Sequence, residues 1–325
     1  MTPRSVIIDC DPGHDDALAI LFALGSPDEL DVLALTAVAG NVPLTLTARN
    51  ARKVCELAGR PDLPVYAGCA RPLMRDLVTA EHVFGSTGLE GPELPEPRMP
   101  LARAHAVDAI VDLLRSHPAE TITLCPMGPL TNIAMALRKA PDIAPRIKEI
   151  VLMGGAMGEG NTTPAAEFNI YVDPHAAKVV FEAGVPLTML GLDVSRQALL
   201  TSDRLEAIRR LGTPFSRTVV GLLEFYSLYH QTRRGRVGAP LHDPCVIAYV
   251  LEPGLFRGRT CHVAIEIQGE HTLGRTVVDW SGRTSHRRNA TVINEIDADG
   301  FFALLTERLA RLPLDPRGAA IRAPR

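Results

Sequence analysis

A cluster of aspartates near the amino terminus constrains this chain more than any other feature. The apolar run at residues 6–8 is typical of a buried strand, Pro12-Gly13 of a sharp turn, and residues 17–24 of the apolar part of a helix. Carboxylates at this junction lie at the carboxyl end of a strand, where open α/β sheets bind their ligands. Four of them occur within eight residues: Asp9, Asp11, Asp15 and Asp16.

Four carboxylates in one place repel one another unless something neutralises them. Asp15 and Asp16 would fall in a first helical turn, where the helix dipole favours negative charge by about 0.3 to 1 kcal/mol each, so helix capping is one explanation. Capping leaves Asp9 and Asp11 directed into one crevice, where repulsion would raise their pKa values. A divalent cation removes the difficulty. Carboxylates without paired Cys or His ligands suit Ca²⁺, Mg²⁺ or Mn²⁺, although Gly13 stands at position five of an EF-hand count instead of six.

Composition excludes several classes of protein. With 325 residues, 46% of them hydrophobic, the chain can form one large α/β domain or two smaller ones. Its net charge of −3 gives no basic field, so we expect neither a nucleic acid nor a membrane partner. We find no export signal and no apolar run near the roughly 18 residues that span a bilayer. The six cysteines form no C-x-x-C pair, which predicts reduced thiols in a cytoplasmic protein.

Apolar runs of strand length alternate with segments of helical period along most of the chain. This alternation predicts an open, mainly parallel sheet with helices on both faces. We find no repeat and no linker that forces a boundary, so we expect one domain over residues 1–325. The predicted strands are residues 6–8, 32–38, 64–67, 121–124, 149–153 and 186–190. The predicted helices are residues 14–24, 45–58, 101–117, 130–140, 174–183 and 297–312.

The last third of the chain departs from this alternation. Residues 262–267, 275–280 and 290–296 look like strands joined by Gly-containing turns, which predicts a hairpin region attached to the main sheet. Residues 215–229 share an apolar helical face, and the following Tyr229-His230-Gln231 could be a loop that lines a pocket. Earlier in the chain, residues 81–100 contain three Gly and four Pro. That stretch is either a lid or a plain irregular connection.

Polar residues also follow other predicted strands, and the carboxyl ends of parallel strands share one sheet edge. The Gly- and Pro-containing residues 125–132 leave carbonyls able to face a cation, and residues 154–169 follow the next strand. His242-Asp243 adds a further acidic group, although such a pair before a helix is by itself usually a cap. No G-x-G-x-x-G, Walker A, H-E-x-x-H or G-x-S-x-G motif occurs. Side chains suited to the hydroxyls of a sugar meet at this edge: Asn41, Asn161, Glu167 and Asn169.

Four motifs, in this order, are similar to a known family: the calcium-dependent nucleoside hydrolases, also called inosine-uridine-preferring or ribonucleoside hydrolases. They lie at residues 9–16, 128–132, 163–174 and 242–245, and the resemblance covers nearly the whole chain. It implies an open α/β domain with a central, mainly parallel sheet of about eight strands. It also implies assembly as a homo-oligomer, a dimer or tetramer, acting on a small-molecule nucleoside.

The resemblance further implies roles for individual residues. A bound Ca²⁺ would be held by Asp11, Asp16, Asp243 and the backbone carbonyl of Met127. Because calcium is a weak Lewis acid, Asp11 would also act as the base that activates water. His242 would give a proton to the leaving base, because imidazole is the side chain most often used for proton transfer. The substrate, held mainly by its ribose hydroxyls, would contact Asp15, Asn41, Asn161, Glu167, Phe168 and Asn169.

Two departures from the family pattern stand out. Many pyrimidine-preferring members carry a His-Gly pair where this chain has Phe84-Gly85, and His82 lies two residues earlier. Either His82 reaches the nucleobase or Phe84 stacks on it, so the base preference stays open and both are candidate substrate contacts. Arg196 occupies a position where His is expected, and the sequence offers no account of it.

Two alternatives compete with this interpretation. A haloacid-dehalogenase-like Mg²⁺ phosphatase also begins with a strand and Asp-x-Asp, but it continues with Gly-Thr and uses a later lysine. Here Pro12-Gly13 follows Asp11, and none of the four lysines stands beside a suitable polar loop. The other alternative is a calcium-dependent nucleoside- or ribose-binding protein without turnover. Asp11 and His242 are both present, so no inactivating loss is visible.

Overall fold

The computed structural model describes residues 2–234 and 238–312. Both ends of the expected 1–325 domain therefore lie outside the described residues. Its strands are β1 (Arg4–Cys10), β2 (Leu30–Ala37), β3 (Val65–Ala67), β4 (Ile122–Pro126), β5 (Ile147–Met153), β6 (Leu187–Leu190), β7 (Leu199–Leu200), β8 (Ala239–Pro240), β9 (Phe256–Cys261), β10 (Val263–Ile265), β11 (Thr276–Val278) and β12 (Ala290–Ile296). Its helices are α1 (His14–Leu24), α2 (Leu44–Leu57), α3 (Glu81–Phe84), α4 (Ala106–Ser116), α5 (Thr131–Lys139), α6 (Phe168–Val172), α7 (Pro174–Phe181), α8 (Leu192–Ser195), α9 (Ser202–Arg209), α10 (Pro214–Arg234), α11 (Pro244–Leu251) and α12 (Ala298–Leu309).

The central sheet has eight strands in the order β3-β2-β1-β4-β5-β6-β12-β9. Neighbouring strands are parallel except β12 and β9, which are antiparallel. From β1 the chain builds outward through β2 and β3, then returns to β4 on the other side of β1. The β1–β4 pair is therefore the topological switch point, beside which open α/β sheets bind ligands. This sheet confirms the predicted fold class.

Alternate residues of the strands face opposite sides of the sheet, and both sides are covered by helices. In β1, Val6 and Ile8 pack into the core cluster that includes α1, α2, α10, α11 and α12. Ile7 faces the other cluster, which includes α4, α5 and α7. A strand buried on both faces reads as a continuous apolar run, which is why the sequence located these strands well. The prediction of helices on both faces is confirmed.

The first six predicted strands are all present, and each end lies within two residues of its predicted position. Helix α1 has the predicted bounds, but α4 begins five residues later than predicted. The delay has a local cause. Ala102 forms a bridge with Tyr66, which keeps the chain extended there. His105 then caps the helix, because its side chain accepts a hydrogen bond from the backbone N–H of Val107 at 3.2 Å.

The three strands predicted for the last third of the chain are present, and β10 and β11 pair in antiparallel fashion, as expected of a hairpin. This hairpin is a sheet of its own, whereas β12 joins the main sheet between β6 and β9. Strand β9 was missed because its four central residues are exposed and show no apolar alternation. Residues 229–231 are helical, because α10 continues to Arg234 with no Gly or Pro after Gly221 to stop it. Among the described residues, no helix is long and apolar enough to cross a bilayer.

Candidate active site

The aspartate-rich turn lies where β1 ends and α1 begins, at the carboxyl edge of the sheet. Asp16 stabilises this turn from within. Its carboxylate accepts hydrogen bonds from the backbone N–H groups of Asp11, at 3.2 Å, and Gly13, at 3.0 Å. The bond from Gly13, the N-cap of α1, satisfies a donor that a helix start would otherwise leave without a partner. Capping therefore explains one of the four aspartates and leaves Asp9, Asp11 and Asp15 to be explained.

Asp9 is buried under the aspartate-rich turn and does not line the cavity next to it. Its Oδ2 atom accepts hydrogen bonds from Thr36 Oγ1 at 2.6 Å and Asn132 Nδ2 at 2.8 Å. Burial raises the pKa of Asp9 to about 7. The same Asn132 side chain also binds backbone groups of Ala37 and Cys69. Asp9 thus joins β1, β2 and the start of α5 beneath the turn.

Three carboxylates form a compact group that is able to hold a metal ion. Asp15, Asp16 and Asp243 each offer one oxygen, and these oxygens lie within 4.8 Å of one another. Asp243 comes from the start of α11, and it shares a side-chain hydrogen bond with Asp16. Burial raises the pKa of Asp15 to about 8 and that of Asp16 to about 6. Burial, then repulsion from Asp15 and Asp16, raises the pKa of Asp243 well above its usual range.

Asp11 lies next to this group without being one of its three members. Its Oδ2 atom accepts the backbone N–H of Asn41 at 2.7 Å, and its buried Oδ1 atom has no hydrogen-bond partner among the described residues. Gly40 and Gly128 make room for the carboxylate. A Cβ atom at these two glycines would stand 2.0 Å and 2.4 Å from the Asp11 oxygens.

The residues present fit a hard cation. No ion pair among the described residues involves these buried aspartates. One oxygen each of Asp11 and Asp15 is buried without a hydrogen-bond partner there. An all-carboxylate group of this kind matches the oxygen ligands that calcium and magnesium take. The carbonyl of Met127 accepts Asn169 Nδ2 at 2.7 Å, and its second lone pair leaves room for one more contact.

A cavity of about 300 Å³ opens beside the carboxylate group. Asp11 and Asp16 lie beneath it and do not form part of its wall. The structure brings every other site residue identified from the sequence to its lining: Asp15, Asn41, His82, Phe84, Met127, Asn161, Glu167, Phe168, Asn169, His242 and Asp243.

One side of the cavity is polar and held rigidly by backbone contacts. Glu167 caps α6, and its carboxylate accepts the backbone N–H groups of Asn169 at 2.9 Å, Gly155 at 3.0 Å and Ile170 at 3.1 Å. Burial raises the pKa of Glu167. Asn161 Oδ1 accepts the backbone N–H of Phe168 at 2.9 Å. These fixed amide and carboxylate groups suit a ligand with several hydroxyls.

Another part of the lining is aromatic. Phe84 is buried and stacks on both His14 and Tyr226, with ring centroids 5.9 Å apart in each case. His82 is exposed at the mouth and meets Tyr229 edge to face, with centroids 6.1 Å apart. Of the two residues in question, Phe84 is thus packed into an aromatic cluster, whereas His82 lies where a ligand enters. Rings in such arrangements provide flat apolar contact for another ring.

His242 is oriented by a residue that the sequence did not single out. Its Nδ1 atom lies 2.8 Å from Ser195 Oγ, and the Ser195 hydroxyl in turn donates to the carbonyl of Gly191 at 3.0 Å. Because the hydroxyl hydrogen is used there, Ser195 accepts from Nδ1–H, which assigns the proton of the neutral ring to Nδ1. The only sequence signal for Ser195 is its position after β6, at the same sheet edge as the aspartates.

Four further residues line the cavity. Tyr229 and His230 do so as the sequence suggested, although from helix α10 and not from a loop. Tyr226, also in α10, was missed, and Arg196, which follows α8, was left without a role. The aromatic residues of α10 occur at helical spacing, which the sequence interpretation attributed mainly to the core. One face of α10 packs into the core at one end and lines the cavity at the other. The sequence pattern is the same along the whole face, so only the tertiary structure shows which residues belong to which part.

The fold and the cavity together define a class of protein: an open α/β protein with a buried carboxylate group at its switch point, beside a cavity lined by polar and aromatic residues. Comparisons with known proteins agree with this description. The sequence pattern of the family described as "Inosine-uridine preferring nucleoside hydrolase" matches residues 6–303. The chain belongs to this family, as its motifs predicted.

Individual relatives are similar over almost the full chain. The "Pyrimidine-specific ribonucleoside hydrolase RihA" of Photobacterium profundum is 49% identical over 308 residues, which cover 94% of this chain and 99% of that protein. Among solved structures, a plant nucleoside hydrolase has a TM-score of 0.88 and 34% identity, covering 95% of this chain and 99% of that one. A purine-preferring ribonucleoside hydrolase from Gardnerella vaginalis also has a TM-score of 0.88 and 34% identity, covering 94% and 98%.

Membership of this family establishes the reaction. The protein is a ribonucleoside hydrolase, which cleaves the N-glycosidic bond of ribonucleosides. The phosphatase alternative is thereby set aside, because neither the matching family nor the similar structures are phosphatases. The activity concerns a small-molecule nucleoside, as the sequence predicted.

Proposed function

We propose that this enzyme hydrolyses pyrimidine ribonucleosides at a Ca²⁺ site, with Asp11 as the base and His242 as the acid. The observation that carries the proposal is the buried carboxylate group at the switch point, beside a cavity lined by both polar and aromatic residues. The bond to be cleaved joins a hydroxyl-rich ring to a flat one. A nucleoside therefore places each half against matching chemistry.

The metal would be held by Asp16 and Asp243, with Asp11 and the Met127 carbonyl as further ligands. Asp15 remains the proposed ribose contact, and its closeness to Asp16 and Asp243 supports a position shared between ion and sugar. When bound, Ca²⁺ would neutralise these carboxylates and orient the substrate diol and the attacking water.

Asp11 is suited to accept the proton of that water. One of its oxygens is fixed by the backbone of Asn41, whereas the other has no hydrogen-bond partner among the described residues. A base held in this way spends no free energy on reorientation when the proton moves, and general base catalysis contributes about 10²- to 10⁴-fold. The glycines at positions 40 and 128 leave the space that this carboxylate occupies.

Polar groups around the ribose would stabilise the charge that develops as the bond breaks. The sugar becomes oxocarbenium-like in such reactions, and fixed carboxylate and amide oxygens favour that positive charge. Glu167, Asn169, Asn161 and Asn41 would supply these contacts. His242 would act in its imidazolium form, in which both ring nitrogens carry a proton: Nδ1–H stays bonded to Ser195, and the proton on Nε2 is given to the departing base.

The preference for pyrimidines is supported by two observations. Relatives at 49% and 50% identity are named pyrimidine-specific, whereas the purine-preferring structure is 34% identical. His82 also stands at the cavity mouth next to Tyr229, in reach of a base bound against the aromatic side. Phe168, which also lines the cavity, would add an apolar contact to the substrate.

The decisive test is steady-state kinetics on uridine, cytidine, inosine and guanosine, using protein freed of metal and then supplied with Ca²⁺ or Mg²⁺. We expect the highest kcat/KM with uridine or cytidine, and activity that Ca²⁺ restores. Faster turnover of inosine would reject the base preference, and full activity without metal would reject the ion. Binding of ribose with Ca²⁺ but cleavage of no nucleoside would favour the non-catalytic alternative.

We further propose that the chain acts as one catalytic domain over residues 1–325, in the cytoplasm, as a homo-oligomer in nucleoside salvage or catabolism. All six cysteines are free, which suits a reducing compartment. The family match from residue 6 to residue 303 supports a single domain. Light scattering after gel filtration tests the assembly, because a monomer at micromolar concentration would reject the dimer or tetramer.

A further inference from the structure

The structure provides an account of Arg196, which the sequence left unexplained. The Arg196 guanidinium donates one hydrogen bond from Nη1 to the carbonyl of Glu159 at 2.9 Å. It donates another from Nη2 to the carbonyl of Gly160 at 2.7 Å. These two carbonyls immediately precede Asn161, and both Arg196 and Asn161 line the cavity.

A second side chain, from helix α8 just before Arg196, also binds this loop. Asp193, in α8, accepts the backbone N–H of Met157 at 2.6 Å through Oδ2 and that of Gly158 at 3.1 Å through Oδ1. Four consecutive residues, 157–160, are thus bound through two N–H groups and two carbonyls. We call these four residues the clamped loop. The pairing of an anionic and a cationic side chain on opposite backbone groups gives charge-assisted bonds at both ends.

Helix α8 is itself fixed to the sheet edge. Gln197 Nε2 donates to the carbonyls of Asp193 and Asn294, at 2.7 Å in both cases, which ties α8 to β12. The Ser195 hydroxyl donates to Gly191 within the same turn. The two side chains that hold the clamped loop therefore project from an anchored support and not from a second loop.

Displacement of the clamped loop would reach Asn161 directly. The backbone beyond it forms a tight turn, in which the N–H of Gly160 donates to the carbonyl of Pro164 at 3.1 Å and that of Asn161 to Ala166 at 3.2 Å. A Cβ atom on Gly160 would lie 2.3 Å from the carbonyl oxygens of Thr163 and Ala166. Because this turn is so tightly packed, a shift of the clamped loop would be transmitted to the Asn161 side chain.

We propose that Arg196, acting with Asp193, is a positioning residue that sets the location of Asn161 and so the enzyme's discrimination among ribose hydroxyls. The inference rests on the proposed contact between Asn161 and the ribose. The geometry requires arginine, because its planar fork presents two donors to two successive carbonyls. The histidine expected at this position carries two ring nitrogens that diverge, so it could not bind the pair in this way.

The test compares Arg196→Met, Asn161→Ala and the double variant on uridine and its 2′-, 3′- and 5′-deoxy analogues, or on the inosine series if inosine is the faster substrate. Arg146→Met is the matched control. Arg146 also binds backbone carbonyls through its guanidinium, those of Leu114, Arg115 and His117, at the opposite end of the sheet. It therefore reports the cost of losing such an arginine without any effect on the cavity.

We expect Arg196→Met to lower kcat/KM by about 10- to 100-fold, the size of effect that misplacing a substrate contact produces. It should lose discrimination against the same deoxy analogue as Asn161→Ala, with the same division between kcat and KM. The double variant should be within about threefold of Asn161→Ala, because a positioning residue has nothing left to position. Arg196→Lys should recover part of the discrimination, and Arg146→Met should keep all of it.

Two results would overturn the inference alone: normal discrimination in Arg196→Met while Asn161→Ala is impaired, or losses that multiply in the double variant. A normal Asn161→Ala would instead remove Asn161 from the proposed function, and the inference with it. If Arg196→Met does not fold, Asp193→Asn takes its place in the same comparisons. It weakens the clamped loop from the other side and is expected to affect the same hydroxyl.

Discussion

Ser195 Oγ lies 2.8 Å from Nδ1 of His242 and donates a hydrogen bond to the carbonyl of Gly191. These two hydrogen bonds fix the orientation of the His242 ring, the proposed acid, through the Ser195 hydroxyl. We expect Ser195→Ala to lower kcat by about 2- to 10-fold, the worth of one hydrogen bond, with little change in KM. Steady-state kinetics on uridine measures both constants.

Ser26→Ala is the matched control for that prediction. Ser26 is also buried, two residues after the end of α1, and donates to the carbonyl four residues earlier, that of Phe22, at 2.9 Å. Its loss should lower stability to a similar extent and leave kcat unchanged. Equal kinetic losses in the two variants would show that Ser195 acts only through stability.

The glycines that enclose Asp11 provide a second prediction. A methyl group at Gly40 or Gly128 would lie 2.0 Å or 2.4 Å from the Asp11 carboxylate, too close for either group to remain in place. We expect Gly128→Ala, and likewise Gly40→Ala, to lower kcat by about 100-fold, because displacement of the base by about 1 Å has an effect of this size. Gly254→Ala is the control, since its Cβ would meet only the end of the Glu252 side chain. A Gly128→Ala enzyme with near-normal kcat would remove Asp11 from the reaction.

The two cavity residues that the sequence could not separate should respond differently. Phe84 is 8% exposed and stacked in the aromatic cluster, so Phe84→Leu should lower the free energy of unfolding by about 1 to 2 kcal/mol and leave the uridine-to-inosine ratio of kcat/KM almost unchanged. His82 is exposed at the mouth, so His82→Ala should change that ratio about 5-fold or more with little loss of stability. The reverse pattern would assign base recognition to Phe84.

The sequence was sufficient to locate most of the site because of one property of parallel sheets. Polar residues that follow β1, β2, β4 and β5 share an edge whatever the details of packing, so Asn41 and Asn169 could be grouped with the aspartates. The strands themselves were visible because burial on both faces makes them continuously apolar. Strand β9 was not visible in the sequence, because its four central residues are exposed to solvent and so show no apolar run.

Contacts between distant side chains were beyond the sequence. Asp9 is withdrawn from the cavity by Thr36 and Asn132, which are 27 and 123 residues away along the chain. Arg196 binds carbonyls 36 and 37 residues away, and both are backbone groups, which every residue has and which therefore leave no mark in the sequence. Such pairings depend on how α5 and α8 are placed against the sheet, which no local pattern encodes.

The buried aspartates make the stability of the metal-free protein dependent on pH. Burial raises the folded-state pKa of Asp16 to about 6, Asp9 to about 7 and Asp15 to about 8, whereas an unfolded aspartate titrates near about 3.9. Between these limits the folded state binds more protons than the unfolded state, so the free energy of unfolding falls as pH rises from about 4 to 8. We expect the melting temperature of protein stripped on a chelating resin to fall over pH 5 to 8.

The stabilisation by added Ca²⁺ should grow over the same range, because binding requires the ionised carboxylates. Asp243→Asn removes one of the repelling charges and should flatten the dependence of the stripped protein. Calorimetry at four pH values measures both trends, and a melting temperature that rises with pH in the stripped wild-type protein would contradict the burial of ionisable carboxylates at this site.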